Sequence, residues 1–475
     1  MPSVLDLLEL RDRAPGWARD LAVAHPTPVG CEDLHVRSYP VLAGRRFRTV
    51  RRLLEESQWW SPAQLRDFQV TQLRALVARA ALTPHYARLF KEAGLNAKSP
   101  LEPEDLACLP YLEKEEVRAQ YDDLVVPGTD LGKMRVVYTG GTTSSGVALH
   151  ESADSWAFES AFFHRWYGWF GYRVGERAAV IQGSYLTRDA DYNPVANTMH
   201  LYVRGLDRRL MDQMATRLEA FSPRRLHGYP SILAAMAATF ERSGRALHLP
   251  RLQRVFFMSE QVTDRQAAAV QRAFGVPTAS HYGQAERVAL MQQCPSSDLQ
   301  HVIPEYGLVE LIGRDGLPVR KPGQLGTIVG TGFAHTAAPL IRYRTLDWAV
   351  LAAPAPCPHC GRHYASVERI EGRSGDLLKT PSGKVWSPTV LDFVYDDEEG
   401  HIQEMQIWQP RLDLIVILVV PGRGFVPADA EIVASALGGL IGEAGLRLEI
   451  RLVERIARPR SMKQRFVRSD VPGPF

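Results

Sequence analysis

The chain of 475 residues is 45% hydrophobic and 23% charged, and its 56 basic and 53 acidic side chains leave a formal net charge of +3. That is the profile of a globular protein with chain enough for several domains and a sizeable core. It excludes the concentrated basic face of a nucleic-acid binder, a bilayer span, since no apolar run reaches ~20 residues, and a disulfide framework, since there are five cysteines in so long a chain. The opening segment MPSVLDLLELRDRAPGW lacks the basic start and apolar stretch of a secretory signal. A cytoplasmic protein is expected, with neither nucleic acid nor membrane as partner; a homodimer is left open.

The first 60 or so residues read as irregular, interrupted by Pro26, Pro28 and Gly30. Ser61-Pro62 reads as a helix start, and Leu65, Leu73, Leu76, Val77 and Ala80 follow on one face. Pro103 and Pro110 bracket a short helix. From there strands and helices alternate: RAAVIQG (177–183) as a strand, MDQMATRLEAF (211–221) and SILAAMAATFERSG (231–244) as helices, RVFFMSE (254–260) as a strand, DRQAAAVQRAFG (264–275) as a helix. Two of these helices end on a capping glycine. The alternation predicts an α/β fold built on doubly wound parallel sheets. After Gly307 come short strands between Gly/Pro turns: GLVELIG, GTIVGTG, LIRYRT and WAVLAA. These predict a β-rich subdomain. The runs DLIVILVV (413–420) and RLEIRLVE (447–454) flank one helix and predict a small α+β C-terminal domain.

Five segments carry polar chemistry. YTGGTTSSG (Tyr138–Gly146) crowds small and hydroxylated residues behind a strand-like RVV. Such a loop offers backbone N–H groups and hydroxyls to a phosphate, although it lacks the GK[ST] of a P-loop. HYGQAE (His281–Glu286) sets a ring beside an open glycine and ends on a carboxylate that can hold a hard cation. LIRYRTLDWA (Leu340–Ala349) ends a β-prone run with an acid able to accept from two hydroxyls. RIEGRSGDLLK (Arg369–Lys379) places two glycines around Arg373 and Ser374, as at a hinge. ARPRSMKQRFV (Ala457–Val467) is a basic segment near the C-terminus. Alone, the first reads equally as a polar surface turn, the second more readily as a turn with a solvated glutamate and the last more readily as a solvated basic tail, while the third is also just a strand end and the fourth a simple interdomain turn. CPHC (Cys357–Cys360) is a CxxC knuckle that can clip a tetrahedral metal but needs two further ligands.

Taken in order, these segments resemble the adenylate-forming superfamily along nearly the whole chain. The likeness is to its phenylacetate–coenzyme A ligase branch with capsule-biosynthesis relatives. PHYARLF (84–90), LPYLEKEEVR (109–118), LHGYPSIL (226–233) and PLIRYRT (339–345) are similar to that branch as well. The resemblance implies a large N-terminal adenylation domain over residues 1–372 and a mobile C-terminal lid over 373–475. It implies ATP-dependent activation of a carboxylic acid, aryl or other acyl, as acyl-AMP with release of pyrophosphate. The acyl group then passes to an acceptor, coenzyme A in the nearest relatives or an amine in capsule or natural-product relatives. Carried residue by residue, Thr139, Gly140, Gly141, Thr142, Thr143, Ser144, Ser145 and Gly146 would embrace the phosphates, with Thr142 acting in catalysis. Tyr282 would lie on adenine and Glu286 would coordinate Mg²⁺. Asp347, assisted by Arg373, would bind the ribose, and Lys463 would bridge carboxylate and α-phosphate. Gly375 would be the pivot of the lid. The resemblance also implies a structural Zn²⁺ held by Cys294, His301, Cys357 and Cys360, with His359 as a competing imidazole.

The chain departs from the pattern in three places. SSGVAL replaces a glycine followed by a lysine, Leu346 stands where glycine is usual, and Gly375 stands where an acid is common. Two other functions stay open: a relative that passes AMP to a cofactor, and a non-catalytic binding protein that keeps the fold. The acid is not legible; Phe256, Phe257, His227 and Tyr229 are candidates for its pocket.

Overall fold

The computed structural model describes residues 35–36, 44–139, 147–183, 189–373, 376–386, 391, 401–422, 424–443, 445–458 and 462–471. The predicted phosphate-loop residues Gly140, Gly141, Thr142, Thr143, Ser144, Ser145 and Gly146 and the predicted pivot Gly375 lie outside them.

After the short β1 (His35–Val36), the stretch expected to be irregular contains a helix, α1 (Arg45–Ser57). Its arginines obscure the period, but Phe47, Val50 and Leu54 recur at helical spacing and are buried. α2 (Pro62–Ala80) starts where Ser61-Pro62 predicts, closed by a reciprocal capping box. The Ser61 hydroxyl accepts from the Gln64 N–H, and the Gln64 side chain accepts from the Ser61 N–H at 3.0 Å. α3 (Pro84–Glu92), α4 (Lys114–Ala119) and α5 (Tyr121–Leu124) follow. β2 (Arg135–Tyr138) and β3 (Ala148–Glu151) form a separate antiparallel hairpin. The aromatic α6 (Ala153–Trp169) comes next.

The alternating region runs β4 (Ala178–Gly183), β5 (Ala190–Asn193), β6 (Thr198–Val203), α7 (Arg208–Phe221), β7 (Arg225–Gly228), α8 (Pro230–Ser243), β8 (Arg254–Phe257), α9 (Asp264–Phe274) and β9 (Thr278–Gly283). β6, β4, β7, β8 and β9 pair in that order and in parallel. α8 and α9 end on Gly244 and Gly275, both left-handed, as their sequences predict. The strand predicted over 254–260 stops at Phe257, because Ser259 takes a positive φ of 67° and turns the chain out of the sheet.

The β-rich region comprises β10 (Leu290–Gln293), β11 (Gln300–Val302), β12 (Gly307–Ile312), β13 (Leu325–Gly332), β14 (Tyr343–Leu351) and β15 (Ser366–Arg373). It does not stand apart: β10 pairs with β9, and among the described residues the whole forms one sheet of thirteen strands ordered β1-β5-β6-β4-β7-β8-β9-β10-β11-β15-β14-β13-β12. The two strands expected at 340–345 and 348–353 are one, β14. The register slips between Thr327 and Val329, and Leu346 adopts φ 64°, so the strand bulges where the sequence suggests a break.

Beyond Arg373 lie the two-stranded β16 (Leu378–Lys379) and β17 (Val385–Trp386). β18 (Ile402–Arg411), β19 (Leu414–Pro421), α10 (Pro427–Ile441), β20 (Arg447–Leu452) and β21 (Val467–Ser469) complete the chain. These last strands form a sheet ordered β20-β19-β18-β21. Ile407, Ile415, Ile417, Val433, Leu437 and Val467 bury a core of their own there.

Candidate active site

Three of the predicted residues meet where the parallel and antiparallel halves of the sheet join. Tyr282 is near the end of β9, Asp347 follows the bulge in β14, and Arg373 closes β15 directly across from Asp347. The Tyr282 hydroxyl donates to Asp347 Oδ2 at 2.8 Å, and Arg373 Nε donates to Asp347 Oδ1 at 3.1 Å. A carboxylate has about four acceptor sites, so Asp347 keeps capacity for two more donors. The adjacent carboxylate raises the pKa of the Arg373 guanidinium, and burial followed by the Asp347 charge raises that of the Tyr282 phenol.

Glu286 lies in the loop after β9 and is 8% exposed. The Tyr343 hydroxyl donates to its Oε1 at 2.9 Å. The next residue, Arg287, holds a positive φ of 48° and is clamped by Glu151 at 3.1 Å and Glu159 at 2.8 Å. Two ion pairs therefore fix the turn that presents Glu286. Of the phosphate loop, Thr139 is described: its hydroxyl accepts from the Val147 N–H at 2.9 Å, while its own N–H donates to the Val147 carbonyl at 2.9 Å. Thr139 thus closes the neck of the β2–β3 hairpin.

Lys463, from the C-terminal segment, reaches the same place. Its Nζ stands 5.7 Å from the centroid of the Tyr229 ring, at the N-terminus of α8. Burial lowers its pKa, with Arg373 acting the same way, while Glu260, Glu286 and Asp347 oppose. A cleft of about 600 Å³ has Tyr282, Asp347, Arg373, Lys463, Glu260 and Phe257 among its walls.

Sequence reasoning missed several partners. Lys114 has its pKa lowered by burial, with Glu286 opposing and Arg373 adding to the fall. The Leu112 N–H bonds to Arg342 and the Arg344 N–H to Leu112, which pins this segment beside Tyr343. The lysine in LEKEEVR is its signal in the sequence. Glu260 accepts from the Ser231 N–H and hydroxyl, both at 3.0 Å, and from the Gln464 N–H at 2.7 Å. No local pattern in RVFFMSE marks it. Of the acid-pocket candidates, Phe256 is core: Trp166, Tyr167 and His227 crowd it at 5.0, 5.2 and 5.0 Å between ring centroids. Phe257 lines the cleft, and Tyr229 flanks Lys463. His227 packs against Tyr167 at 4.9 Å, and burial holds its pKa well below the usual imidazole value.

The ligand atoms of Cys294, His301, Cys357 and Cys360 lie within 4.8 Å of one another, and His359 is not of this group. Sγ of Cys294 and Sγ of Cys357 are 4.0 Å apart, close to the ~3.8 Å edge of a tetrahedron with ~2.3 Å metal–sulfur bonds. Nε2 of His301 is 3.2 Å from Sγ of Cys360, while its Nδ1 bonds to the Ser366 hydroxyl at 3.0 Å. The ring is thus oriented with Nε2 inward, as metal-binding histidines are. Three thiols and one imidazole, with no carboxylate grouped with them among the described residues, suit a closed Zn²⁺ site.

No family model matches the chain. It is 26% identical over 405 residues to the phenylacetate–coenzyme A ligase of Thermus thermophilus, an alignment covering 83% of this chain and 89% of that one. The fold matches 2-hydroxyisobutyryl-CoA ligase in its postadenylation state with TM-score 0.70 and 18% identity, over 87% of this chain and 93% of that one. The same ligase in its thioesterification state gives 0.58 at 19% identity, over 87% and 91%. In its fold the chain resembles these adenylate-bound ligases: a large body with a mixed sheet and a small C-terminal sheet domain, with residues from both lining one cleft. The sequence likeness extends to the phenylacetate–coenzyme A ligase of Pseudomonas putida, 26% identical over 338 residues, which cover 69% of this chain and 75% of that one.

Proposed function

We propose that this protein uses ATP to activate a carboxylic acid as its acyl-adenylate, releasing pyrophosphate, and then passes the acyl group to the thiol of coenzyme A. The observation that carries this is the convergence of Tyr282, Asp347, Arg373 and Lys463, four separate sequence segments, on one cleft. A carboxylate oxygen of the acid attacks the α-phosphorus, and the bond to pyrophosphate breaks. The nucleophile is ionised at neutral pH, so no general base is needed. Charge gathers on the non-bridging oxygens, where Lys463 supplies a point charge and three donors. Asp347 accepts from the ribose hydroxyls, Arg373 fixes Asp347, and Tyr282 offers its ring to adenine. The Glu286 carboxylate is an oxygen ligand suited to Mg²⁺, a cation that neutralises phosphate charge. The segment Thr139–Gly146 receives the phosphates, with Thr142 among its acting groups.

Residues 1–372 are assigned to the body and 373–475 to a lid that pivots at Gly375. Lys463 lining the cleft supports reading this arrangement as the adenylating pose. Cys294, His301, Cys357 and Cys360 are assigned to one structural Zn²⁺. A cytoplasmic setting would keep those thiols reduced.

The test is ATP–pyrophosphate exchange across a panel of carboxylic acids, followed by product analysis with coenzyme A and with amines. Acid-dependent exchange and a thioester product are expected. An amide product would move the acceptor from thiol to amine, and exchange with no acid in the panel would count against the adenylate.

A further inference from the structure

Lys463 acts only if the segment carrying it is seated in the body, so the contacts that seat it bear on the reaction. Met462, with a positive φ of 60°, packs against the apolar cluster of the parallel half of the sheet. On the other side of Lys463, the Gln464 N–H donates to Glu260 Oε1 at 2.7 Å. That carboxylate is itself fixed to the first turn of α8: Oε2 accepts from the Ser231 N–H at 3.0 Å and Oε1 from the Ser231 hydroxyl at 3.0 Å. The N-terminus of a fourteen-residue helix favours a negative charge there. Arg458 completes the arrangement. Its Nη1 donates to the Ser231 hydroxyl and to the Met462 carbonyl, each at 3.2 Å, and its guanidinium pairs with Glu404 of the C-terminal sheet. The same helix end carries Tyr229, whose ring flanks Lys463.

We propose that Glu260 is a positioning residue for adenylation: it is the socket that receives the Gln464 backbone and so sets Lys463 in the cleft. This rests on the acyl-adenylate reading above and adds the group that selects the lid pose. Three donors face the two oxygens of Glu260, so the socket needs a carboxylate. An amide in its place would turn an NH₂ toward a backbone N–H. Glu260 touches no reacting atom in this scheme.

The experiment compares wild type with Glu260→Gln and Ser231→Ala, measuring ATP–pyrophosphate exchange, transfer from supplied acyl-adenylate, and ATP affinity. Hydrogen exchange of the peptide containing Gln464 is followed in parallel with ATP bound. For Glu260→Gln the ratio of exchange rate to transfer rate is expected to fall by up to ~10²-fold, the scale of a small misplacement of a catalytic group. ATP affinity should fall far less than the exchange rate, since Tyr282, Asp347 and Arg373 keep their mutual hydrogen bonds. The Gln464 amide should exchange roughly tenfold faster or more, the least that a hydrogen bond to a charged acceptor implies. Ser231→Ala, a milder change, should move the same quantities in the same direction. Equal loss in both half-reactions, ATP binding weakened as much as exchange, or unchanged protection at Gln464 in a folded Glu260→Gln protein would each overturn the proposal. Hydrogen exchange needs no turnover, so the socket can be judged even if wild type activates none of the acids tried; that result would count against the acyl-adenylate reading instead.

Discussion

Replacing Cys357 with serine tests the metal assignment on a quantity the structure supplies. Cys294 and Cys357 are 63 residues apart in sequence, and their sulfurs are 4.0 Å apart. A bound metal would cross-link the turn between β10 and β11 to the knuckle between β14 and β15. On the chain-entropy treatment used for disulfides, closing a loop of that length in the unfolded chain is worth about 4 kcal/mol. The knuckle is partly preformed, since Cys357 and Arg362 share a backbone hydrogen bond of 2.8 Å and the Gly361 N–H bonds back to Cys357 at 2.9 Å. Some order therefore survives without metal, and about 4 kcal/mol is an upper figure for the cross-link. Cys357→Ser should bring zinc, measured by elemental analysis after purification without added metal, from about one per chain to well below one. Denaturant unfolding should show a loss of about 2–4 kcal/mol. ATP affinity should change little, because none of the four ligands is among the residues lining the cleft with Tyr282, Asp347 and Arg373. A serine variant with full zinc, or a metal-free wild type as stable as the loaded one, would refute the reasoning.

Asp347→Ala removes the partner of both Arg373 and Tyr282 and should weaken ATP binding by about 1.5–3 kcal/mol in calorimetry; unchanged affinity would remove Asp347 from the ribose role. Lys463→Ala should depress ATP–pyrophosphate exchange by roughly 10²–10³-fold while sparing transfer from supplied acyl-adenylate; equal damage to both would make Lys463 structural. Leu346→Gly relieves a left-handed conformation that costs a residue with a side chain ~1–2 kcal/mol, against ~0.5–1 kcal/mol of added chain entropy. It should be neutral or slightly stabilising in thermal unfolding, whereas Leu346→Val should destabilise. A clear loss in the glycine variant would show that packing by the Leu346 side chain outweighs its strain.

Much of the fold was legible because its signals are local. Gly244 and Gly275 end their helices as sequence predicts, since only the left-handed cap needs to be recognised. α1 was not legible, because its arginines dilute an apolar stripe that only tertiary packing against the body makes evident. The continuity of the two half-sheets depends on β9 pairing with β10, and pairing across a turn leaves no composition signal. Tyr282, Asp347, Arg373 and Lys463, which line one cleft, could be singled out because each sits in a motif of fixed order. Glu260 could not, since its role depends on Ser231 and Gln464, which are 29 and 204 residues away. The choice between His301 and His359 was likewise spatial: a knuckle imidazole is near in sequence, but the register of β11 against β15 brings His301 across to Ser366 and the thiols.

The departure at Leu346 and the placing of the lid meet at one point in the sheet. The bulge that gives Leu346 its positive φ also turns β14 so that Asp347 faces Arg373, the last residue of β15. On the other side of residues 374–375, Asp376 accepts from Arg465 Nε at 2.6 Å. Under the proposed division at residues 374–375, one ion pair would belong to the body and the other to the lid, and a rotation between them would break neither. The contacts it would have to break are of another kind: the Gln464 N–H on Glu260, Arg458 on Ser231, Lys463 against the Tyr229 ring, and Met462 on an apolar surface. Each is a single hydrogen bond or a small contact, individually worth about 0.5–3 kcal/mol. Together they come to about 2–12 kcal/mol, and a two-state equilibrium is inverted by about 5.5 kcal/mol of differential binding, so bound ligands offset them over the lower half of that range. Release of pyrophosphate removes a ligand from the pose that Lys463 stabilises, and an incoming acceptor favours the other. Weakening the Glu260 socket should therefore shift the balance between half-reactions before it affects folding.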